Sequence, residues 1–552
     1  MTTIASAVVH HIKKLGVTHV FGIPGKSIVP LVIECEKQSL PFILSRHESG
    51  AGFQASGYAI KNQTIGVAIG TSGPGGTNLI TAAGQAKAFH LPVLFITGHP
   101  SMKHTGRALA QDSTAFGTDM VKLFEPVTKF SARVERSDVF PMYLRHALEQ
   151  SLTGVKGPVH LSIPLDVLLE EIVPFDISIP KTSFPLISTG ISDALPIIEQ
   201  AKRPVMILGK GVHASLAYEE VRALAETWGI PVVTTPGGKG TFPTLHPLSL
   251  NSFGLGGTQQ AEAYLRSGVD LILVIGSRLN DMSTAGFTED MYPEHVIHFD
   301  YESHYIQKSL PVPTCFIQGD IKQNICELVK ASSSEQKMKY KETFEQIAAA
   351  YEAEAPQYHS EAGADSPFIS AVEAIRTLRA ALPMDTVVFG DEGSHSFYAI
   401  QNFDIYKPGT FFFDAAFGTM GYSLSYAIGA KVASPSDTIA CICGDGSLFM
   451  HGTEISTAVN QNIAVLFIVL NNSRLDMVDK GMSNHFGKSI GSVYDIGVHV
   501  QKFAESLGAN AFRCQTSEEI MLSVHEALTH NGPSVIEIMV DPYEVPPTLL
   551  RG

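Results

Sequence analysis

Short apolar runs rich in β-forming residues alternate with helical stretches along the whole chain, and many of these runs end on Gly, Asp or Asn. This alternation predicts an α/β fold with parallel sheets. In open parallel sheets, ligands bind just beyond the carboxyl ends of the strands. The sequence therefore predicts that the functional residues lie in the loops that follow the strands.

The apolar runs fall into three arrays, which predict three doubly wound domains with parallel sheets. A chain of 552 residues is also too long for one hydrophobic core. Residues 174–185 are rich in Pro, Ile and Ser and predict an extended connector, whereas residues 332–365 predict a solvated helical linker. The predicted domains are residues 1–175, 186–331 and 366–552.

The charge and the cysteine content limit the partners and the location of the protein. A formal net charge of -15 argues against nucleic acid or an anionic membrane as a partner, because both require basic patches. Six scattered cysteines predict reduced thiols and no disulfide scaffold. No apolar run approaches the ~20 residues of a membrane helix, and the N-terminus has no signal pattern. These features predict a cytoplasmic protein.

A Gly-Asp-Gly motif at 444–446 follows the apolar run 438–443, and an Asn-Asn pair follows the next run, 464–470. A right-handed β-α-β crossover would return both runs to one sheet, so that Asp445 and Asn472 would emerge close together. Their carboxylate and amide oxygens are ligands of the kind that Mg²⁺ prefers, with phosphate and water completing its shell. The glycines would let the backbone approach a phosphate. The sequence therefore predicts a magnesium–phosphate site, and two unrelated turns are the alternative.

An Arg-His-Glu motif at 46–48 follows the run 41–44 and precedes the small residues at 49–52. From the residues alone, Glu48 has two interpretations. It is either an acid at a helix N-terminus, where the helix dipole stabilises it, or a functional carboxylate at the end of a strand.

The stretch from Gly444 to Asn472 resembles the thiamine-diphosphate motif, and nearly the whole chain is similar to the acetohydroxyacid synthase (acetolactate synthase) branch of thiamine-diphosphate-dependent enzymes. The resemblance implies a pyrimidine-binding first domain, a central domain and a diphosphate-binding third domain. It implies that Mg²⁺ is bound by the side chains of Asp445 and Asn472 and by the backbone carbonyl of Arg474. It also makes Glu48 the catalytic residue, because a carboxyl group on the pyrimidine N1′ favours the tautomer that acts as a base.

Other segments resemble the cofactor-binding motifs of the family. Gly-Ser-His at 393–395 resembles Gly-Gln-His, which helps to hold the diphosphate, with Ser in place of Gln. Gly-Thr-Met-Gly at 418–421 matches closely, and its Met would keep the cofactor bent, with a buried core Met as the alternative. The segment at 71–78 resembles one that packs the pyrimidine side, although alone it is typical of a phosphate loop. The implied cofactor-binding residues are Gly25, Pro74, Asn78, Gly393, Ser394, His395, Gly418, Met420, Gly444, Asp445, Gly446, Ser447, Asn472 and Met477.

Departures from the family pattern concern the substrate side. Asp476 replaces a Gly, and Gly481 replaces the Trp that shapes the acceptor pocket in acetohydroxyacid synthases. Lys26 replaces another Gly, and it would either contact an anionic substrate or extend to solvent. Gln111 lies where the family has a pocket amide and is predicted to be catalytic. The predicted substrate pocket consists of Lys26, Ser27, Gln111, Asp476, Met477 and Gly481.

The resemblance implies a carboligase that decarboxylates a 2-keto acid, with pyruvate favoured, and transfers the acyl unit to a carbonyl acceptor. It further implies a homodimer or homotetramer with its sites at subunit interfaces. One alternative is a decarboxylase or an acyloin lyase with the same cofactor, and another is a silent, thiamine-binding regulatory paralogue. The presence of Glu48 and of the metal ligands argues against the paralogue. In the middle domain, the segments at 254–257 and 278–281 match the family imperfectly, and FAD stays open because some members bind it and others do not.

Overall fold

The computed structural model describes residues 1–179, 186–332 and 368–550. In these ranges the chain forms three α/β units, each with a six-stranded parallel sheet, so the predicted fold class is confirmed. Residues 180–185 of the predicted connector lie outside the described residues, as does the predicted helical linker apart from Ser332. None of the helices in the described ranges has the length and hydrophobicity that a membrane crossing requires.

Each sheet arranges its strands in a spatial order that differs from their order along the chain. From edge to edge, the first sheet consists of Phe42–Leu44, Val20–Gly22, Gly66–Gly70, Val93–His99, Val159–Pro164 and Phe130–Arg133. The second consists of Ser249–Ser252, Val232–Thr234, Pro204–Leu208, Leu271–Ile275, His295–Asp300 and Thr314–Gln318. The third consists of Phe411–Phe413, Val387–Gly390, Ile439–Gly444, Val465–Asn471, Ser534–Met539 and Asn510–Cys514. A short antiparallel pair, Thr2–Thr3 with Glu171–Ile172, adds to the first unit.

The helices connect these strands. Those of the first unit are Ile4–Lys14, Val29–Lys37, Glu48–Asn62, Pro74–Thr77, Ile80–Phe89, Met120–Phe124, Phe140–Leu152 and Leu165–Leu169. Those of the second are Ile191–Gln200, Gly211–Ser215, Tyr218–Trp228, Gln259–Arg266, Asp281–Thr284 and Ile321–Ala331. Those of the third are Ala371–Ala381, Ser394–Asn402, Tyr422–Ala433, Asp445–His451, Ile455–Asn460, Asp476–Phe486, Val500–Ser506 and Ser517–Thr529.

The strand order reveals how the three units are related. With strands numbered in chain order within each unit, the first and third sheets both have the order 2-1-3-4-6-5, and the second has 3-2-1-4-5-6. In each sheet, the second strand is added on one side of the first strand, and a later strand is added on its other side. At such a reversal of strand order, the loops that leave the two central strands diverge to opposite faces and open a crevice in which ligands bind. Each unit therefore has a candidate binding site at the carboxyl ends of its central strands.

The first and third units contact each other through two helices, Glu48–Asn62 and Tyr422–Ala433. A Cβ atom on Gly57 would lie 2.1 Å from the backbone oxygen of Tyr426, and one on Gly429 would lie 1.8 Å from the backbone oxygen of Gln54. The two helices thus approach backbone to backbone at glycines. This contact fixes the helix that begins with Glu48 against the third unit.

We expect Gly429→Ala to destabilise the protein by about 1 to 3 kcal/mol, because its methyl group has no space and the helices must separate. The thermal unfolding midpoint checks this. The matched control is Gly481→Ala, also inside a helix, where a Cβ atom meets nothing within 4 Å. There alanine should stabilise the helix by roughly 0.5 to 1 kcal/mol. Equal midpoints for the two variants would contradict the close helix contact.

Candidate active site

The predicted metal ligands follow neighbouring central strands of the third sheet. Strand Val465–Asn471 pairs in parallel with Ile439–Gly444, with Gly444 level with Leu470. Asp445 and Asn472 therefore leave adjacent strands at the same edge, which is the placement that the crossover predicts. The reversal of strand order lies at this edge, beside Ile439–Gly444.

Asp445 is a buried carboxylate with an unused oxygen. Its exposed fraction is 2%, and it is the first residue of helix Asp445–His451. Burial raises its pKa to about 7, although backbone N–H groups, including those of Gly446 and Ser473, partly oppose this, and the charge of Asp476 adds to the rise. Its Oδ2 atom has no hydrogen-bond partner among the described residues. A cation would supply that partner, so the carboxylate fits a divalent metal ion.

Further buried polar atoms without partners lie in the loops around Asp445. Within the described part of the chain they include Ser394 Oγ, His395 Nε2, Thr419 Oγ1 and Asp476 Oδ2, together with Glu392 Oε1 and Arg474 Nε. Burial lowers the pKa of His395 to about 3, so its imidazole is neutral. Its ring lies beside Gly444, since a Cβ atom on Gly444 would be 3.0 Å from the ring Nδ1. Hydroxyl and imidazole groups that lack partners fit the oxygens of a diphosphate, and the carboxylate fits its metal ion.

Asp391 organises these loops, and no sequence motif indicated it. Its fully buried carboxylate accepts the backbone N–H of Gly421 at 2.7 Å and that of Ser423 at 2.9 Å. These bonds tie the 418–421 loop to the end of strand Val387–Gly390. Met420 on this loop reaches the turn that contains Asp445, because its Cε lies 3.6 Å from where a Cβ atom on Gly446 would be.

A segment after the metal-binding strand folds back over it. The backbone N–H of Tyr494 donates to the oxygen of Ser473 at 3.0 Å, and that of Leu475 donates to Ser492 at 2.7 Å. The Tyr494 hydroxyl lies 3.2 Å from where a Cβ atom on Gly446 would be. Tyr494 is therefore a neighbour of the Gly-Asp-Gly turn at 444–446 that no motif indicated, because it lies in a loop without a periodic pattern.

Glu48 lies in the first unit, after the edge strand Phe42–Leu44, which pairs with the central strand Val20–Gly22. It is the first residue of helix Glu48–Asn62 and is 8% exposed. Its Oε2 accepts a hydrogen bond from Nδ2 of Asn78 at 2.9 Å. The structure thus brings together two residues that the sequence assigned to separate motifs.

The remaining predicted residues of the first unit lie around its own reversal of strand order. Gly25 approaches Thr71 so closely that a Cβ atom would be 2.4 Å away. Ser27 is buried, and its hydroxyl contacts that of Thr71 at 2.8 Å, so it joins the two central loops. Gln111 is exposed and lies against Gly73, the residue before Pro74. Lys26 is exposed as well.

The other predicted residues of the third unit lie in three kinds of surroundings: the turn at 444–447, the hydrophobic core, and positions without close neighbours among the described residues. Ser447 is buried, and its hydroxyl donates to the backbone oxygen of Glu392 at 3.3 Å. Met477 packs against the hydrophobic core of the unit. Among the described residues, Gly481 has no atom within 4 Å of an added Cβ, and neither has Gly418. Their roles toward the cofactor and the substrate stay predictions.

Glu454 connects the third unit to the turn that precedes Glu48, and no sequence pattern pointed to it. Its buried Oε1 accepts the backbone N–H groups of Arg46 at 3.0 Å and His47 at 2.9 Å. Its Oε2 accepts from Nε2 of Gln54 at 2.9 Å. Burial raises its pKa, and these bonds oppose the rise. Since His47 lies 407 positions earlier, no local pattern could reveal this contact.

We expect Glu454→Gln to lower kcat about tenfold or more and to destabilise the protein by about 1 to 3 kcal/mol, because the new NH₂ group replaces Oε2 and faces the donor Nε2 of Gln54. Steady-state kinetics and the thermal midpoint check this. Glu505→Gln, the same change at an exposed site, is the control. If Glu454→Gln has the kcat and the thermal midpoint of the wild type, Glu454 does not help to position Glu48.

The middle unit has a cavity of about 1020 Å³ at its reversal of strand order, where the loops after Pro204–Leu208 and Leu271–Ile275 diverge. Residues of the other two units complete its wall. Arg278 Nη2 lies 2.9 Å from Nε2 of His90, and burial lowers the pKa of Lys210 to about 8. Asp300, whose pKa burial raises, also lines the cavity. Asp281, Glu302 and Asp320 line the cavity as well, so its wall carries charges of both signs.

Two units of the same strand order, one with the buried carboxylate Glu48 and the other with buried polar groups that fit a diphosphate, are typical of an enzyme that binds a phosphorylated organic cofactor. Comparison with known families agrees. Residues 2–120, 191–328 and 391–538 match the N-terminal TPP binding domain, the central domain and the C-terminal TPP binding domain of thiamine pyrophosphate enzymes.

Whole-chain relatives point to one branch. The chain is 32% identical to the probable acetolactate synthase large subunit of Methanocaldococcus jannaschii, over 99% of this chain and 93% of that protein. It is 33% identical to the acetolactate synthase large subunit of Corynebacterium glutamicum, over 97% and 86%. It is 30% identical to the acetolactate synthase isozyme 1 large subunit of Escherichia coli K12, over 98% and 94%. The chain belongs to the thiamine pyrophosphate enzyme family, in the branch of the acetolactate synthase large subunits. These matches confirm the predicted family and the predicted thiamine-diphosphate-dependent carboligase.

Proposed function

We propose that this chain decarboxylates a 2-keto acid, with pyruvate as the preferred donor, and joins the acyl unit to a carbonyl acceptor, with thiamine diphosphate and Mg²⁺ as its cofactors. The observation that carries the proposal is the convergence of Asp445 and Asn472 with unpartnered polar atoms, among the described residues, at one sheet edge. When bound, thiamine diphosphate supplies the electron sink that decarboxylation requires.

The residues of the third unit would hold the diphosphate end. Asp445 and Asn472 would bind Mg²⁺ through side-chain oxygens, and Arg474 through its backbone carbonyl. The neutral imidazole of His395 and the hydroxyl of Ser394 would hydrogen-bond the phosphate oxygens. Because these groups are buried, water competes weakly for them, and each bond contributes more than it would at the surface.

Glu48 would hold and move the proton at the pyrimidine end. Asn78 donates to Oε2 of Glu48 and thereby fixes the carboxyl group, which leaves Oε1 for the N1′ atom of the cofactor. A carboxyl group that is fixed before the cofactor binds needs little reorganisation during the reaction. Glu454 fixes the turn in front of it and so supports the same placement.

A larger acceptor than that of acetohydroxyacid synthases is the proposed substrate difference. Gly481 stands where the family has a Trp, and an added Cβ at Gly481 would meet no described residue within 4 Å. The absence of an indole leaves space for a bulky carbonyl compound. Lys26 is exposed and would contact an anionic group of the substrate.

We expect Gly481→Trp to shift acceptor use toward small carbonyl compounds, with at least a tenfold change in the product ratio, because the indole fills the acceptor space. Mass analysis of products from pyruvate offered with a small and a bulky acceptor together measures the ratio. Gly481→Ala is the control, since a methyl group leaves the space open. An unchanged ratio in Gly481→Trp would contradict the proposed acceptor pocket.

We also propose a homodimer or homotetramer with active sites at subunit interfaces. Large apolar side chains are exposed near both halves of the site, which supports such an interface. Among the described residues they include Phe116, Phe449, Met450, Phe486, Ile490 and Ile496, each exposed by at least 47%. The first lies just after Gln111, and the others lie on or after the metal-binding segments.

FAD is the proposed occupant of the middle cavity. The unit has the strand order of dinucleotide-binding domains. Lys210 and Arg278 suit the charge of a pyrophosphate. A flavin absorption spectrum of the purified protein decides the matter.

A further inference from the structure

Asp476 lies beside a predicted metal ligand although the family pattern has a Gly at its position. It begins helix Asp476–Phe486, four positions after Asn472. Its Oδ1 accepts a hydrogen bond from Nδ2 of Asn472 at 2.8 Å and forms an ion pair with Nζ of Lys480 at 2.7 Å. The two side chains of the ion pair are only 10% and 12% exposed.

The contact determines which way the Asn472 amide is oriented. An ionised carboxylate only accepts hydrogen bonds, so the amide must present its NH₂ group to Asp476. The opposite orientation would bring two oxygens together inside the protein, where repulsion is strong. The amide oxygen, the only atom of this group that binds Mg²⁺, is therefore left for the metal.

Lys480 holds Asp476 in this position. Besides the ion pair, its Nζ donates to the backbone oxygen of Glu544. The carboxylate of Glu544 in turn accepts from the hydroxyl of Ser370 at 2.9 Å, at the start of helix Ala371–Ala381. Lys480 is thus bound at two points. A fixed cation of this kind stabilises the buried charge of Asp476 and restricts its rotamers.

We propose that Asp476, held by Lys480, is a positioning residue that directs the Asn472 oxygen toward the metal ion. The proposal rests on the proposed role of Asn472 in binding Mg²⁺. The second carboxylate oxygen of Asp476 is buried and has no partner among the described residues. It is available to accept a hydrogen bond from a water ligand of the cation. Groups that orient metal ligands in this way typically contribute about 10- to 100-fold to metal affinity.

Titration calorimetry of Mg²⁺ into the full-length protein with saturating thiamine diphosphate tests the proposal. We expect Asp476→Ala to raise the Kd for Mg²⁺ about 10- to 100-fold. Asp476→Asn keeps an oxygen that accepts from Asn472 and should recover most of the affinity. Lys480→Met keeps the contact between Asp476 and Asn472 and should weaken binding less than Asp476→Ala. The thermal midpoint without cofactor reports folding separately, and Asp476→Ser, whose shorter side chain also removes the acceptor for Asn472, serves if the alanine variant does not fold.

The outcomes separate this inference from the proposed metal site. If the wild type needs Mg²⁺ to bind the cofactor and Asp476→Ala has unchanged Mg²⁺ affinity, the role of Asp476 is wrong and the metal site stands. Equal losses in Asp476→Ala and Asp476→Asn would also overturn the orienting role, because charge alone would then explain the effect. If the wild type binds thiamine diphosphate equally well without Mg²⁺, the proposed metal site itself is wrong.

Discussion

Glu48→Gln should lower kcat by about 100- to 10 000-fold, the range that a positioned acid–base group contributes. The amide keeps the hydrogen bond from Asn78, because its oxygen accepts in the same place, but it cannot hold or move a proton at the cofactor. Steady-state turnover of a 2-keto acid at saturating cofactor measures the loss. The thermal midpoint should stay near that of the wild type, since the change alters little volume.

The control for this prediction is Glu36→Gln, the same substitution at an exposed position of the first unit. It should leave turnover unchanged. Undiminished turnover in Glu48→Gln would contradict the assignment of Glu48 and restore the alternative of a protein that binds thiamine without using it.

Asp445→Asn should have opposite effects on binding and on stability. Loss of the metal-binding carboxylate should weaken Mg²⁺-dependent binding of thiamine diphosphate by roughly 100-fold or more, which calorimetry measures. Without cofactor, the variant should be more stable than the wild type above pH 7, by on the order of 1 to 4 kcal/mol. The reason is that ionised Asp445 is buried without a partner for its Oδ2 among the described residues.

The direction of the pH dependence follows from the raised pKa. The folded protein shifts the pKa of Asp445 from 3.8 to about 7, so folding favours the protonated form. Its contribution to stability is full below about pH 4 and is lost as the pH rises through 7. The advantage of Asp445→Asn should therefore be small at pH 4 and large at pH 8. Asp495→Asn, at an exposed site, is the control, and wild-type cofactor affinity in Asp445→Asn would contradict the metal site.

The central strands could be predicted from the sequence because they are covered on both sides. Strands such as Val465–Asn471 are buried at every position and form continuous apolar runs. The edge strands Phe130–Arg133, Thr314–Gln318 and Asn510–Cys514 were not predicted, because each is partly exposed and its sequence lacks such a run. The edge strand Ser249–Ser252 was not predicted either, because polar residues interrupt its apolar pattern.

The site residues that directly follow a strand could be predicted from the sequence. Those that act through contacts with residues far away in the sequence could not. The Gly-Asp-Gly turn and the Asn pair each follow a strand directly, so the register alone brings Asp445 and Asn472 together. Glu454 and Asp391 act through backbone groups of loops far away in the sequence. The small residues that follow Glu48 also have a structural reason, because a Cβ on Gly50 would lie 2.2 Å from Oε1 of Glu454.

The substrate residues illustrate the same limit. A departure from a family motif indicates that something differs, but the side chain can face either way. Asp476, predicted for the substrate pocket, bonds to Asn472 and Lys480, whereas Gly481 leaves open space. One departure thus concerns the proposed metal site and the other the proposed acceptor pocket.

The most direct test of the proposed reaction is to incubate the purified protein with thiamine diphosphate, Mg²⁺ and a panel of 2-keto acids with carbonyl acceptors, and to measure CO₂ and products by mass. We expect pyruvate to release CO₂ in equal amount to a ligated acyloin or acetohydroxy acid. Release of CO₂ with only free aldehyde would contradict the carboligase and identify a decarboxylase. Cleavage of an acyloin, with no reaction of any 2-keto acid, would contradict it in favour of a lyase.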